Sequence, residues 1–168
     1  YTSISAAIAD LDSLGVNGAV TFNVASGVYD EQINLGEVTG ASSVNTITFF
    51  GDVGNAFTPI ILTYTPLGSS DNWTVKMTGT DFVTFDNMTI TSGGSSYASL
   101  IVYTDTVTNF NLTNCHLIGK TSGSTGSNYA GLFVTYPGVA AGNWHIRDNT
   151  FDSVSYAAYV YGLGYGAN

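Results

Sequence analysis

The chain has 168 residues, of which 44% are hydrophobic, and this is enough for one domain with a continuous core. Only 9% of the residues are charged, with three Lys and Arg against twelve Asp and Glu, so the formal net charge is −9. This composition argues against nucleic acid and anionic membrane surfaces, which require clustered cations, and no apolar run approaches the ~20 residues of a membrane-spanning helix.

The first predicted element is a helix over residues 3–14. Its apolar residues recur at helical spacing on one face, and they are Ile4, Ala7, Ile8, Leu11 and Leu14. Thr2 or Ser3 can cap its start, and Gly15 suits the left-handed position after its end. So short a helix needs packing partners, and we expect residues 1–18 to cap the open first coil of a stacked sheet.

From residue 19 onward, short strands alternate with turns that are rich in Gly, Ser and Asn. One phrase recurs, in which two apolar residues flank a polar one and Asn or Asp follows two residues later. Its copies span 83–90, 110–117 and 144–151. Such a phrase predicts a half-buried strand, a sharp corner and a second strand.

The leading strands recur at the spacing of a solenoid. The second apolar residue of each falls at positions 22, 49, 85, 112 and 146, in steps of 27, 36, 27 and 34 residues. Three short strands and three turns fit each step, so residues 19–168 are predicted to form about five stacked coils that continue beyond residue 168. An antiparallel sandwich is the alternative, but it requires two-residue hairpins such as Asn-Gly, and that pair occurs only at 17–18.

On these features the chain resembles the right-handed parallel β-helices of the pectin-lyase-like class. The resemblance is carried by the opening helix, by Val20-Thr-Phe-Asn-Val24, by Gly27-Val-Tyr-Asp-Glu-Gln-Ile33 and by the Phe-x-Asn-x-x-Ile phrases. The stretch 14–24 is similar to the start of secreted surface proteins of the Bacteroidota, which are often exported by the type IX system. The resemblance implies an all-β solenoid with an N-terminal capping helix and an extracellular or cell-surface location.

Three polar residues are predicted at the same corner of successive coils: Asn87, Asn114 and Asp148. Their side chains can bond the backbone of the next coil and satisfy groups that a sharp corner would leave unpaired. We interpret them as a structural ladder rather than as ligand-binding residues.

Candidate glycan contacts form two sets. Arg147, the only arginine, should lie on an outward row with Thr113 and Asp86. Tyrosines that could stack on sugar rings form a second set, which comprises Tyr97, Tyr103, Tyr129 and Tyr136. His116 and His145 are predicted to be surface or packing residues, and Cys115 a small buried thiol.

No catalytic residue, cofactor or metal site is predicted. The resemblance implies that lyases of this class hold Ca²⁺ in a carboxylate cluster and use a basic residue, whereas the hydrolases use a group of aspartates. No position matches these motifs, and the carboxylates follow no EF-hand or nonapeptide calcium repeat, although a Ca²⁺ site built from several coils stays open.

Two functional hypotheses follow. The first is a non-enzymatic extracellular segment that serves as a stalk or as an adhesive, glycan-binding module. The second is a polysaccharide lyase or glycoside hydrolase. The tail at 157–166 is apolar and lacks a polar cap, so we also expect further coils, a polysaccharide or another protein chain at that end.

Overall fold

The computed structural model describes residues 1–52, 59–120, 126–134 and 141–160. Its helix, α1, spans Ile4–Leu14 as predicted. The Ser3 hydroxyl accepts a hydrogen bond from the Ala6 N–H at 3.1 Å, and Gly15 follows the helix with a φ of 66°. The inner face of α1 is buried, but Leu14 is 80% exposed, so its placement on the apolar stripe was wrong. No helix in the described ranges is long and apolar enough to cross a membrane.

The strands form three parallel sheets of five strands each. Sheet 1 contains β1 (Val20–Val24), β4 (Ile47–Gly51), β7 (Val83–Asp86), β11 (Asn111–Thr113) and β15 (His145–Arg147). Sheet 2 contains β2 (Gly27–Asp30), β5 (Ile60–Tyr64), β8 (Thr89–Ser92), β12 (His116–Ile118) and β16 (Thr150–Asp152). Sheet 3 contains β3 (Ile33–Leu35), β6 (Val75–Met77), β9 (Ile101–Tyr103), β13 (Leu132–Val134) and β17 (Ala158–Val160). Two short strands, β10 (Val107–Thr108) and β14 (Ala141–Gly142), pair with each other and come just before β11 and β15 along the chain. Two 3₁₀ turns lie at Ser69–Asp71 and Ser127–Tyr129.

Each coil contributes one strand to each sheet, so the chain is a right-handed parallel β-helix of five coils, and the predicted fold is confirmed. The register aligns positions 22, 49, 85, 112 and 146 on successive coils. Because side chains alternate between the two faces of a strand, this alignment stacks the same inward position throughout. The rings of Phe22 and Phe49 lie 5.0 Å apart, and those of Phe49 and Phe85 lie 5.3 Å apart.

Left-handed backbone marks the two corners that flank sheet 1. After the sheet it occurs at Asn87, Asn114 and Asp148, with φ of 60°, 52° and 58°. Before the sheet it occurs at Phe82, Asn109 and Asn143, with φ of 56°, 50° and 56°. Coils approach closely at the corner after sheet 1, where a Cβ added to Gly51 would lie 2.0 Å from the Asn87 carbonyl oxygen. A glycine is therefore required there.

The two ends of the solenoid differ. At the first coil, α1 covers the interior and packs against β3. At the fifth coil, Ile146 and Phe151 are only half-buried and Val160 is 47% exposed, whereas the inward residues Phe85 and Leu112 of earlier coils are completely buried. The apolar interior is thus closed at the N-terminal end and thinly covered at coil five in the described part of the chain.

Candidate functional site

The outward side of sheet 1 carries a grid of side chains from the third, fourth and fifth coils, which we call the sheet-1 face. The corner row holds Phe82, Asn109 and Asn143. The middle row holds Thr84, Asn111 and His145, and the outer row holds Asp86, Thr113 and Arg147. Neighbouring residues of one row are about 4.8 Å apart, and neighbouring rows are roughly 7 Å apart.

The alternation of the strands creates this grid. Phe85 and Leu112 point inward and are completely buried, so the residues on either side of them point outward. The corner row stacks because the backbone repeats there: the Phe82 N–H donates to the Thr108 carbonyl at 3.3 Å, and the Asn109 N–H donates to the Gly142 carbonyl at 2.8 Å.

The corner row is linked by side-chain hydrogen bonds. The amide of Asn143 donates to the Asn109 side-chain oxygen at 3.1 Å, and the Asn109 amide donates to Thr108 Oγ1 at 3.1 Å. The Thr108 hydroxyl in turn donates to an Asp81 carboxylate oxygen. Four side chains of the third, fourth and fifth coils therefore form one continuous chain of hydrogen bonds, in the order Asn143, Asn109, Thr108 and Asp81.

A shallow groove follows the corner and middle rows. It has a volume of about 220 Å³, and its lining residues are Ser43, Thr46, Phe82, Asn109, Asn111, Asn143 and His145. Within it, the Asn111 amide donates to Thr84 Oγ1 at 3.1 Å, and His145 is exposed. The groove thus offers amides, hydroxyls, one imidazole and the ring of Phe82.

The outer row contains the predicted pair Asp86 and Arg147. Both lie on the sheet-1 face, with Thr113 between them, so the backbones that carry them are about 9.6 Å apart. Asp86 accepts from the Asn114 amide at 2.8 Å, and Arg147 is exposed to solvent.

The predicted corner ladder has mixed partners. The Asn87 amide donates to the backbone carbonyl of Gly51 at 2.9 Å, as expected, but Asn114 donates to the Asp86 side chain. On the fifth coil, the residue after Asp148 bonds the backbone: the Asn149 amide donates to the Leu112 carbonyl at 2.7 Å, and its oxygen accepts from the Cys115 N–H at 2.8 Å.

The predicted tyrosines do not join this face. Tyr103 is completely buried, with its ring 4.6 Å from Trp144, and burial raises its pKa, so its assignment as a glycan contact is corrected. Tyr97 and Tyr129 are half-buried in the connections between sheets 2 and 3. Tyr136 lies outside the described residues.

Other titratable side chains lie apart from the face. His116 is half-buried on sheet 2, and its Nε2 atom is buried. Cys115 is buried beside the corner, and burial raises the pKa of its thiol to about 11. Residues 1–52, 59–120, 126–134 and 141–160 contain no group of three or more His, Cys, Asp or Glu side chains that could hold a metal ion. A Ca²⁺ site built from several coils, which the sequence left open, is not found among the described residues.

No family model, curated protein or solved structure matches the chain. The sheet-1 face must therefore be interpreted from its own chemistry. Side-chain amides both donate and accept hydrogen bonds, hydroxyls do the same, and an aromatic ring packs against apolar C–H surfaces. This combination suits a neutral ligand that is rich in hydroxyl groups.

Sequence reasoning found the outer row but missed the corner row. The signal is nevertheless present in the sequence. An Asn followed by an aromatic residue occurs immediately before two of the leading strands, at Asn109-Phe110 and at Asn143-Trp144. Phe82 occupies the equivalent position on the third coil and hides the pattern, since a bulky residue rarely adopts a positive φ.

Proposed function

We propose that this chain is a non-enzymatic β-helical module of a secreted or cell-surface protein, and that its sheet-1 face binds neutral carbohydrate. The observation that carries the proposal is the groove that Asn109, Asn111 and Asn143 line together with Phe82. The resemblance to pectin-lyase-like surface proteins of the Bacteroidota supports the location and is a fold-level analogy.

Charge favours a neutral ligand over an acidic one. The outer row carries Asp86, the adjacent corner carries Asp148, and the whole chain has a net charge of −9. Arg147 is the single cation of the face. A uronic-acid polymer would meet net repulsion there, whereas a neutral hexose chain would not.

A glycan array and affinity electrophoresis in neutral polysaccharide gels test the proposal. We expect retention by neutral glycans, weakened roughly fivefold for Asn111→Ala, because a ligand hydrogen bond contributes about 1 kcal/mol. Thr150→Ala is the matched control, since Thr150 is exposed on sheet 2 of the fifth coil. Absence of retention by every neutral glycan, or equal loss in both variants, would contradict the proposal.

The lyase alternative has its own test. The chain would be incubated with polygalacturonate and Ca²⁺, and the absorbance of unsaturated products would be followed. On our proposal no product forms. Product formation that Arg147→Ala abolishes would replace carbohydrate binding by eliminative cleavage as the function.

A partner at the fifth coil is a further part of this proposal. The half-buried Ile146 and Phe151 and the exposed Val160 support it, because apolar interior side chains of a solenoid are stable only when covered. Light scattering and the fluorescence of a dye that binds apolar surface test it. A monomer that binds no dye would exclude such a partner.

A further inference from the structure

Four side-chain amides around the sheet-1 face donate in the same direction along the solenoid. Asn87 donates to the second coil, Asn114 and Asn111 donate to the third, and Asn143 donates to the fourth. Each amide therefore directs its N–H toward the preceding coil. The carbonyl oxygen of each belongs to the same planar amide group and points in a different direction from the nitrogen.

In the corner row a carboxylate sets this direction. An ionised carboxylate only accepts, so Asp81 requires donors, and it receives both the Thr108 N–H at 3.0 Å and the Thr108 hydroxyl. Because the Thr108 hydroxyl donates its proton to Asp81, Thr108 Oγ1 can only accept from the Asn109 amide. The Asn109 oxygen then faces Asn143, which must present its N–H to it.

Asn143 is the last member of this chain in the described residues, and it is exposed. One of its two side-chain N–H groups is used by Asn109, so its carbonyl oxygen and its second N–H remain for a ligand in the groove. A carbonyl oxygen accepts hydrogen bonds and does not donate them.

We propose that Asp81 is a positioning residue that orients the side-chain amides of Asn109 and Asn143, so that the Asn143 oxygen faces the ligand and accepts a hydroxyl proton from it. The inference rests on the proposed function and names the chemistry of its ligand. A sugar with a free hydroxyl at that point satisfies the oxygen, whereas the corresponding O-methyl ether does not.

The orientation is tested first without ligand. In isotope-labelled chain, the side-chain amide resonances of Asn109 and Asn143 should show slow hydrogen exchange. Thr108→Val removes the hydroxyl that links Asp81 to Asn109, and Asp81→Asn replaces a group that only accepts by an amide that can also donate. Both variants should therefore shift these resonances and accelerate their exchange. Asp105→Asn, on an exposed turn, is the control. Unchanged Asn143 signals in both folded variants would overturn the inference.

Ligand discrimination is tested by titration with cellotetraose and with its O-methylated form. We expect the unaltered chain to prefer the free hydroxyls roughly tenfold, and Asp81→Asn to reduce that ratio to about two or less. A ratio that is unchanged in Asp81→Asn would overturn the inference. If cellotetraose and all other neutral glycans fail to bind the unaltered chain, the proposed function fails, and the resonance measurement still decides the role of Asp81.

Discussion

Left-handed residues set the sharpness of the corners on both sides of sheet 1. Asn tolerates this conformation better than other non-glycine residues, because its short side chain can bond nearby backbone. At Asn87 the side chain also bonds the carbonyl of Gly51 on the preceding coil. Two contributions, conformation and hydrogen bond, are thus combined in one residue.

Substitution of Asn87 separates these contributions. Asn87→Gly keeps the left-handed conformation and loses the hydrogen bond, which should reduce the free energy of unfolding by about 1 kcal/mol. Asn87→Ala adds conformational strain of roughly 1–2 kcal/mol to that loss. Urea unfolding of both variants measures the difference. Equal stability of the two variants would show that the left-handed conformation at residue 87, with its φ of 60°, adds no strain when Ala replaces Asn.

Cys115 should be chemically inert in the folded chain. Its thiol is buried against the Phe85 carbonyl, with Sγ 3.7 Å from the oxygen, and burial raises its pKa to about 11 from an ordinary value of 9.0. A thiol reagent at pH 8 should therefore label it only after denaturation, since the thiolate is the reactive form. Rapid labelling of the native chain would contradict this burial.

The same shift predicts a pH dependence. Between pH 9 and 11 the unfolded thiol releases its proton and the folded thiol retains it, so the free energy of unfolding falls as pH rises. The loss attributable to this group is roughly 2–3 kcal/mol. Cys115→Ala should lack it, and urea unfolding at pH 8.5 and 11 compares the two chains. Parallel pH profiles would argue against the shift.

At the scale of elements, α1 is held to the solenoid at its N-terminus by a carboxylate of the first coil. Glu31 accepts the backbone N–H groups of Ile4 at 3.2 Å and Ser5 at 2.8 Å, and the Ser5 hydroxyl at 2.6 Å. The first turn of a helix leaves such N–H groups unpaired and carries partial positive charge. An anion there therefore stabilises the helix both by accepting hydrogen bonds and by its charge. This residue therefore fixes the orientation of α1 over the interior.

Removal of this charge should weaken the attachment of the helix. Glu31→Gln keeps the size of the side chain and loses the charge, and we expect about 1 kcal/mol of destabilisation at low salt. Glu37→Gln is the control because Glu37 is exposed. Thermal unfolding followed by circular dichroism measures both. A loss of stability in the control of the same size would assign the effect to net charge instead.

At the scale of the whole molecule, the coils are equivalent in backbone and unequal in burial. Each interior position contacts the equivalent position on the coils before and after it, so an inner coil has two neighbours and the fifth has one in the described chain. The stability of a solenoid is approximately the sum of such nearest-neighbour interfaces.

Equivalent truncations on different coils should therefore differ in cost. Leu112→Ala on the fourth coil should cost about 2–5 kcal/mol, because Leu112 is completely buried. Ile146→Ala, at the aligned position of the half-buried fifth coil, should cost about 1 kcal/mol. Urea unfolding compares them, and Leu67→Ala, at an exposed position, should have little effect. Equal costs at residues 112 and 146 would mean that the fifth coil is as well covered as the fourth.

The fold was predictable because its signals are local and repeated. Alternation places Phe85 and Leu112 inward, and Asn87 and Asn114 mark the corner that follows. Both signals depend only on residues that are close in sequence. Repetition on several coils then aligned the leading strands without any knowledge of long-range contacts.

The attachment of α1 and the candidate site were less predictable, for three physical reasons. Glu31 reaches α1 across 26 residues, and no local pattern records such a contact. All three residues of β9 are buried, so alternation could not decide that Tyr103 points inward. Phe82 adopts a conformation that its side chain disfavours, which hid the corner row.

The attachment of α1 by Glu31 has a consequence for biosynthesis. The helix is translated before the first coil, and Glu31, the side chain that secures it, is made only after most of that coil has been translated. An isolated eleven-residue helix is marginal in water, so α1 stays loosely formed during that interval. The capping helix is therefore synthesised before the coil that it covers, and it cannot dock until that coil has folded.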